Sequence, residues 1–299
     1  MLGIIGYGAL GKAVEQLLQE HNEQAIIYTS QKNISTSFDY FDYDKLGRHN
    51  LTYAYMCLSS TILPQKLGEV LRYTSTIDCY DVHGNFKEYF DTADKNAKSN
   101  NNIAIVGAGW DCGLFSLARA ISSRLGNTHT FWGKGVSLGH SSAVRKIEGV
   151  EDCVAYTIPV ESEISLAYQG QPSKKPYQKH IRKVIVLPKN NADNAKIARQ
   201  ILGDYNYFAD YPCEIIFVNQ EEFASVKNDI SHKGEVICVG KNYDLTLACR
   251  MKSNPYFTAC IMRAISFSID KLTQKGAYTL MDIPFKYFLS ERSDIWTLI

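Results

Sequence analysis

The 299-residue sequence lacks a charge surplus of either sign: 32 Lys and Arg stand against 31 Asp and Glu, a formal net of +1. A protein that holds nucleic acid through its general field needs a basic excess to displace counterions, so no nucleic-acid partner is expected. Long apolar runs are also missing. No stretch approaches the roughly 20 residues that span a bilayer, and Met1-Leu2-Gly3-Ile4-Ile5-Gly6 has neither the basic lead nor the apolar segment of a secretory leader. No membrane partner is expected, and the expected location is the cytoplasm. The eight cysteines (57, 79, 112, 153, 213, 238, 249 and 260) form no CxxC pair, and the seven histidines show no ligand spacing. Reduced thiols and no metal site are therefore expected. Repeats and low-complexity tracts are absent, and 45% hydrophobic against 21% charged residues excludes a disordered chain.

What is present reads as about two domains at this length. Apolar runs at Met1–Ile5, Ala25–Tyr28, Thr52–Leu58, Ser75–Cys79 and Asn102–Val106 alternate with helical spacing at Lys12–Glu20 and Leu63–Tyr73. Such alternation predicts an α/β, doubly wound, mostly parallel sheet. From about Gly113 the texture changes. Leu114–Arg124 reads as one helix, and strands are expected at Glu151–Pro159, Lys183–Leu187, Glu214–Asn219 and Glu235–Val239, with a helix at Asn191–Leu202. These predict an antiparallel sheet in a second, α+β domain. Gln169–Lys179, rich in Pro, Lys and Gln, reads as an exposed loop or arm, and Phe257–Lys271 as a long amphipathic helix.

Gly6-x-Gly8-x-x-Gly11 lies between a strand and a helix, the context that makes this spacing a Rossmann-type dinucleotide fingerprint. Its glycines allow a tight turn and let backbone N–H groups approach a pyrophosphate at a helix N-terminus. An NAD site would place Asp or Glu about 20 residues on, at the ribose 2′-hydroxyl. Here Tyr28-Thr29-Ser30-Gln31-Lys32 offers hydroxyls and one cation but no acid, which favours NADP. Candidate cofactor contacts are Gly6, Tyr7, Gly8, Ala9, Leu10, Gly11, Ser30, Gln31 and Lys32, with Cys57 near the end of the Thr52–Leu58 strand and Ser59 and Ser60 just after it.

Two further loops, Asp78-Cys79-Tyr80-Asp81-Val82-His83 and Gly107-Ala108-Gly109-Trp110-Asp111, follow strands at the carboxyl rim of the expected sheet. Ligands of doubly wound folds bind at that rim. A lone Asp there reads first as an N-cap; two, beside a nucleotide motif, point to chemistry.

With Gly109-Trp110-Asp111-Cys112-Gly113-Leu114-Phe115-Ser116, Thr130-Phe131-Trp132-Gly133-Lys134-Gly135-Val136-Ser137-Leu138-Gly139-His140-Ser141 and Asn254-Pro255-Tyr256-Phe257-Thr258-Ala259, the chain resembles the meso-diaminopimelate dehydrogenase family over nearly its full length. The resemblance implies an NADP-dependent enzyme that oxidatively deaminates the D-centre of a diamino diacid, working as a homodimer on a small amino-acid substrate. It implies a dinucleotide domain of residues 1–113 and 255–299, with an inserted substrate-binding and dimerisation domain of 114–254. At the reacting centre it implies Asp81 and Asp111 as catalytic, with Trp110 and Trp132 walling the pocket. At the distal L-centre it implies Thr157, Arg182, His232 and Asn254, with Leu138 and Gly139 also lining the substrate site. Departures occur at Cys112, where the family usually has Pro, at Leu138 for Gln, at Ser142 for Asp and at Asn85 for Asp. Lost polar groups make the site more apolar and point to broader use of D-amino acids. Another D-amino acid or opine-type dehydrogenase, or an NADP-binding regulator without catalysis, is the alternative.

Overall fold

Short, wholly apolar segments such as Ala25-Ile26-Ile27-Tyr28 and Tyr53-Ala54-Tyr55-Met56 bury every residue, the mark of parallel strands covered on both faces. They belong to the first of two units in the computed structural model, which describes residues 1–289 and 294–299. The first unit comprises Met1–Leu117 and Pro255–Ile299, the second Ala118–Asn254. The first crossing falls a little past residue 113, within the helix Ser116–Ser122.

Strands β1 (Leu2–Ile5), β2 (Ala25–Tyr28), β3 (Tyr40–Phe41), β4 (Tyr53–Met56), β5 (Ser75–Asp78) and β6 (Ile103–Ile105) build the sheet of the first unit. The last strand of the chain, β14 (Gly276–Tyr278), returns to pair with β6. All pairings are parallel, in the order β3-β2-β1-β4-β5-β6-β14. The direction of winding therefore reverses between β1 and β4, where doubly wound folds open a crevice at the carboxyl ends. Ile4, Ile27, Tyr55, Ile77 and Ile105 from the strands form one core with Val14, Leu17 and Leu18 of helix Ala9–Glu20 and with Ala259, Met262 and Ile265 of helix Asn254–Ser266.

The second unit departs from the single antiparallel sheet expected. Strands β7 (Asn127–Trp132), β8 (Gly135–Val136), β9 (Val150–Pro159), β10 (His180–Pro188), β11 (Cys213–Phe217), β12 (His232–Val239) and β13 (Asp244–Met251) divide into two sheets. One runs β11-β10-β9-β8 and the other β13-β12-β7. The second is antiparallel, but β10 and β11 pair parallel. A parallel step needs a crossover, and helix Asn194–Leu202 supplies it.

Two local readings are also corrected. The expected helix Leu114–Arg124 is a wide turn at Trp110–Phe115, in which Leu114 N–H reaches back to Gly109 O (3.2 Å), followed by a short helix Ser116–Ser122. This five-residue reach is a π-turn, a form concentrated at functional sites. The Gln169–Lys179 arm closes on a helical turn, Pro176–Lys179, whose last residue is buried. Lys179 Nζ lies 5.0 Å from the Phe131 ring centroid, so the aliphatic stem and the charge both find partners inward. No helix among the described residues is long and apolar enough to cross a membrane.

Candidate functional site

The glycine loop between β1 and helix Ala9–Glu20 divides its labour among three positions. Gly6 has φ +98°, and a Cβ there would meet Cys57 O at 2.7 Å. At Gly11 a Cβ would lie 2.3 Å from Gly6 O, so this glycine lets helix and loop touch. A Cβ at Gly8 would meet nothing within 4 Å, and Gly8 caps the helix with no side chain. The helix N-terminus thus faces open space with its N–H groups uncapped, a cradle of the kind that receives a pyrophosphate. These residues fit a dinucleotide.

Around that cradle the structure sorts the sequence candidates. Ala9 and Leu10 open the helix, whereas Tyr7 turns its side chain away from the loop: it is buried, and its hydroxyl bonds Glu15 and Ser35 O (2.9 Å). Burial and Glu15 push the Tyr7 phenol up to about 12, so it is a packing residue that offers the loop only its backbone. Beyond β2, Gln31 N–H donates to Thr29 Oγ1 (3.2 Å), and exposed Ser30, Gln31 and Lys32 form the rim. Lys32 Nζ pairs with Asp42 Oδ2 at 2.8 Å, an exposed pair that a phosphate can compete for. After β4, Cys57 N–H bonds Ile5 O (2.8 Å), Ser59 Oγ lies 3.0 Å from Thr61 Oγ1, and Ser60 Oγ donates to Asp81 Oδ1 at 2.6 Å. Ser60 therefore links the loop after β4 to a catalytic candidate.

Asp81 and Asp111 leave adjacent strands, β5 and β6, and a residue that sequence reasoning missed ties their loops together. Asp78, fully buried at the end of β5, accepts from Tyr80 N–H (2.9 Å), Gly107 N–H (3.0 Å) and Tyr89 Oη (2.6 Å). Ala108 N–H adds a bond to its backbone carbonyl at 2.6 Å. Burial raises the Asp78 carboxyl, and these donors only partly oppose it. The signal in the sequence was an acid at the apolar strand's last residue, which looks the same as an N-cap.

Asp81 is solvent-exposed, yet the surrounding protein holds its carboxyl above the ordinary range, with Ser60 pulling the other way. Asp111 Oδ2 lies 2.9 Å from His83 Nε2, and Cys112 Sγ stands 3.9 Å from the same nitrogen. Partial burial lowers the His83 imidazole, but Asp111 and Cys112 outweigh it and push the pKa up to about 11. His83 and Asp111 are 28 positions apart, so their approach is invisible to a search for ligand spacing, and the expectation of no metal-ligand grouping meets a His83–Asp111–Cys112 cluster here. Trp110 is buried edge-on against Phe115, centroids 5.2 Å apart.

In the second unit the pairing register assembles the distal candidates. Thr157 of β9 lies directly opposite Arg182 of β10, and Arg182 Nη1 donates to Thr157 Oγ1 at 2.5 Å. Both are buried, as are His232 and Asn254. The guanidinium stacks 3.8 Å from the Tyr211 ring centroid and its Nε donates to Tyr207 O (3.3 Å). A guanidinium enclosed in this way can pair with a carboxylate. His232 Nδ1 is 2.6 Å from Lys233 O, and Asn254 Nδ2 donates to Val136 O (3.4 Å). Burial, reinforced by Arg182 and His232, holds the His140 imidazole well below its ordinary range and hence neutral. Leu138 and Gly139 begin helix Leu138–Arg145, with Leu138 packed against Val136, Val154, Tyr156, Leu187 and Phe223. Trp132 ends β7, and its backbone N–H donates to His180 Nε2 at 2.8 Å.

Comparison with known proteins decides the family. Residues 109–249 match the model of the diaminopimelic acid dehydrogenase C-terminal domain. Over 305 residues the chain is 33% identical to the meso-diaminopimelate D-dehydrogenase of Ureibacillus thermosphaericus, covering 95% of this chain and 94% of that protein. The chain belongs to the meso-diaminopimelate D-dehydrogenase family. Among solved structures of this kind, the Corynebacterium glutamicum DAP dehydrogenase in complex with DAP superposes with a TM-score of 0.90 at 28% identity, over 99% of this chain and 98% of that one. An engineered D-amino acid dehydrogenase bound to NADP+ superposes with a TM-score of 0.94 at 27% identity, over the same shares. The doubly wound sheet is thus the fold of diaminopimelate dehydrogenases, as the strand–helix alternation predicts.

Proposed function

We propose that this protein catalyses the reversible, NADP-dependent oxidative deamination of the D-centre of meso-2,6-diaminopimelate to L-2-amino-6-oxopimelate and ammonia. The observation that carries the reading is the pair Asp81 and Asp111 on loops anchored to one buried carboxylate, Asp78, at the rim that also bears the glycine cradle. Family membership and the enclosed Arg182–Thr157 pair support the diacid.

The first unit is the dinucleotide-binding domain and the second the substrate-binding and dimerisation domain. NADP, held by the Gly6–Gly11 loop with Ser30, Gln31, Lys32, Cys57, Ser59 and Ser60 around it, supplies the hydride acceptor. Asp111 holds the substrate ammonium by charge. Asp81, oriented by Ser60 Oγ at 2.6 Å, or a water beside it takes the proton that must leave before the amine can release hydride from its carbon. The resulting imine is hydrolysed by water to the oxo acid and ammonia. In the first unit Trp110 flanks the reacting centre; in the second, Trp132, Leu138, Gly139, Thr157, Arg182, His232 and Asn254 are the substrate-binding residues.

A second reading, turnover of simple D-amino acids, is favoured by Leu138, which meets an apolar core and offers no hydrogen bond where the family usually has Gln. NADPH formation with meso-diaminopimelate, D-lysine, D-alanine and the L,L isomer separates the two. Turnover confined to the meso compound is expected. Turnover of the D-monoacids makes Leu138 and Ser142 specificity determinants, and NADPH binding without any turnover leaves a regulator.

We infer a cytoplasmic homodimer. Eight unpaired cysteines suit a reducing compartment, and β13 is exposed along nearly its whole length, including Leu245 and Leu247. Sedimentation equilibrium giving a monomer overturns the dimer.

A further inference from the structure

The loops after β5 and β6 bring together an imidazole, a carboxylate and a thiol. His83 Nε2, Asp111 Oδ2 and Cys112 Sγ all lie within 4.8 Å of one another, with 2.9 Å between nitrogen and oxygen and 3.9 Å between nitrogen and sulfur. We propose that these three side chains form a binding site for a thiophilic divalent ion, Zn2+ in the first place, whose occupation blocks the amine-holding carboxylate.

The donor set selects the ion. Thiolate and imidazole favour zinc and its neighbours over Mg2+ or Ca2+, which take oxygen. Zinc bonds of about 2.0–2.3 Å in a tetrahedron separate ligand atoms by about 3.3–3.6 Å. The nitrogen–oxygen and nitrogen–sulfur separations straddle that span, and all three donors lie within 4.8 Å, so small side-chain rotations bring them onto one ion.

Local structure provides the arrangement. The π-turn at Trp110–Phe115 presents Asp111 and Cys112, neighbours in sequence, to the same imidazole, and Ser116 Oγ bonds Asp111 O (3.3 Å). The His83 side chain is 53% exposed, which leaves an approach for the ion. Three protein ligands leave the fourth tetrahedral position to water, the pattern of an open site rather than a closed structural one. On binding, Cys112 and His83 each release a proton to water, which frees Sγ and Nε2 for the ion, and Asp111 Oδ2 exchanges the His83 N–H for it.

The functional half of the proposal rests on the reading of Asp111 as the group that holds the substrate ammonium. An ion on Asp111 then competes with the amino acid and leaves the glycine cradle untouched.

Co2+ is the direct probe: thiolate coordination gives a near-ultraviolet charge-transfer band that carboxylate or imidazole alone does not. The full-length protein is expected to bind one Co2+ with this band and to exchange it for Zn2+. Cys112→Ala and the volume-conserving Cys112→Ser should both lose the band. Loss of an outer-shell partner alone costs about 10–100-fold in affinity, so His83→Asn, which removes a ligand, should weaken binding by roughly 100-fold. A band that survives either Cys112 variant overturns the site, as does no band in the parent protein. In steady state, Zn2+ should raise KM for the amino acid and leave KM for NADP+ unchanged, and Cys112→Ala should stay active but resist the ion. Cobalt binding through Cys112 without competition against the amino acid keeps the site and overturns the role given to Asp111.

Discussion

Gly8→Ala separates cofactor binding from folding. The Gly8 backbone, at φ −82° and ψ −159°, is open to any residue, and its Cβ would meet no protein atom within 4 Å. The stability change should therefore stay within about 0.5 kcal/mol, as for a surface substitution. What the methyl group does occupy is the space in which a pyrophosphate would meet the helix N-terminus. Losing one hydrogen bond to a charged group costs about 1.5–3 kcal/mol, or about 10- to 150-fold in Kd. Gly11→Ala is the contrast. Its Cβ would sit 2.3 Å from Gly6 O, so backbone must move and the fold should lose about 1–3 kcal/mol. NADPH fluorescence titration beside urea unfolding reads both quantities. Gly8→Ala with parent-like NADPH affinity, or with a stability loss as large as that of Gly11→Ala, refutes the assignment of the open cradle to the cofactor.

Arg182→Met should raise KM for a diacid by about 10- to 100-fold through loss of a charge-assisted pair, and leave KM for a D-monoacid unchanged; equal effects on both remove Arg182 from the distal clamp. Asp111→Asn should depress kcat with little change in NADPH affinity, and an unchanged kcat excludes Asp111 from the reacting centre. Asp78→Ala leaves the Tyr80 and Gly107 N–H groups and the Tyr89 hydroxyl without their acceptor, and should cost about 3 kcal/mol in urea unfolding. Kcat should fall with it because both catalytic loops lose their anchor. Burial lowers Lys179 from its ordinary 10.5 to about 8. Between these values the unfolded chain holds a proton that the folded protein lacks, so stability should rise with pH across that window, by at most about 3 kcal/mol. Lys179→Met should abolish the rise, which pH-dependent unfolding of both proteins would reveal.

How far the sequence was readable depended on the range of the interactions that carried the information. Strand–helix alternation through β6 and the spacing of Gly6, Gly8 and Gly11 are local, and they predicted the parallel sheet and the place of the cradle. The expected helix Leu114–Arg124 overruns the end of the Trp110–Phe115 turn at Leu114 and Phe115, because these apolar residues continue the spacing that follows and the five-residue hydrogen bond leaves no period of its own. Lys179 was misread as exposed because composition marks a loop without saying where its last side chain turns.

The sequence by itself determined the fold class of the first unit and the family, since both rest on contiguous patterns. Tertiary structure alone decided the rest: that Asp78 rather than a cap ties the two carboxylate loops, that Arg182 lies across from Thr157 in a buried pair, and that His83 meets Asp111 and Cys112. Each of these joins residues at least 25 positions apart or depends on how deeply a charge is buried. Neither register between distant strands nor solvent exclusion is written in the local order of residues.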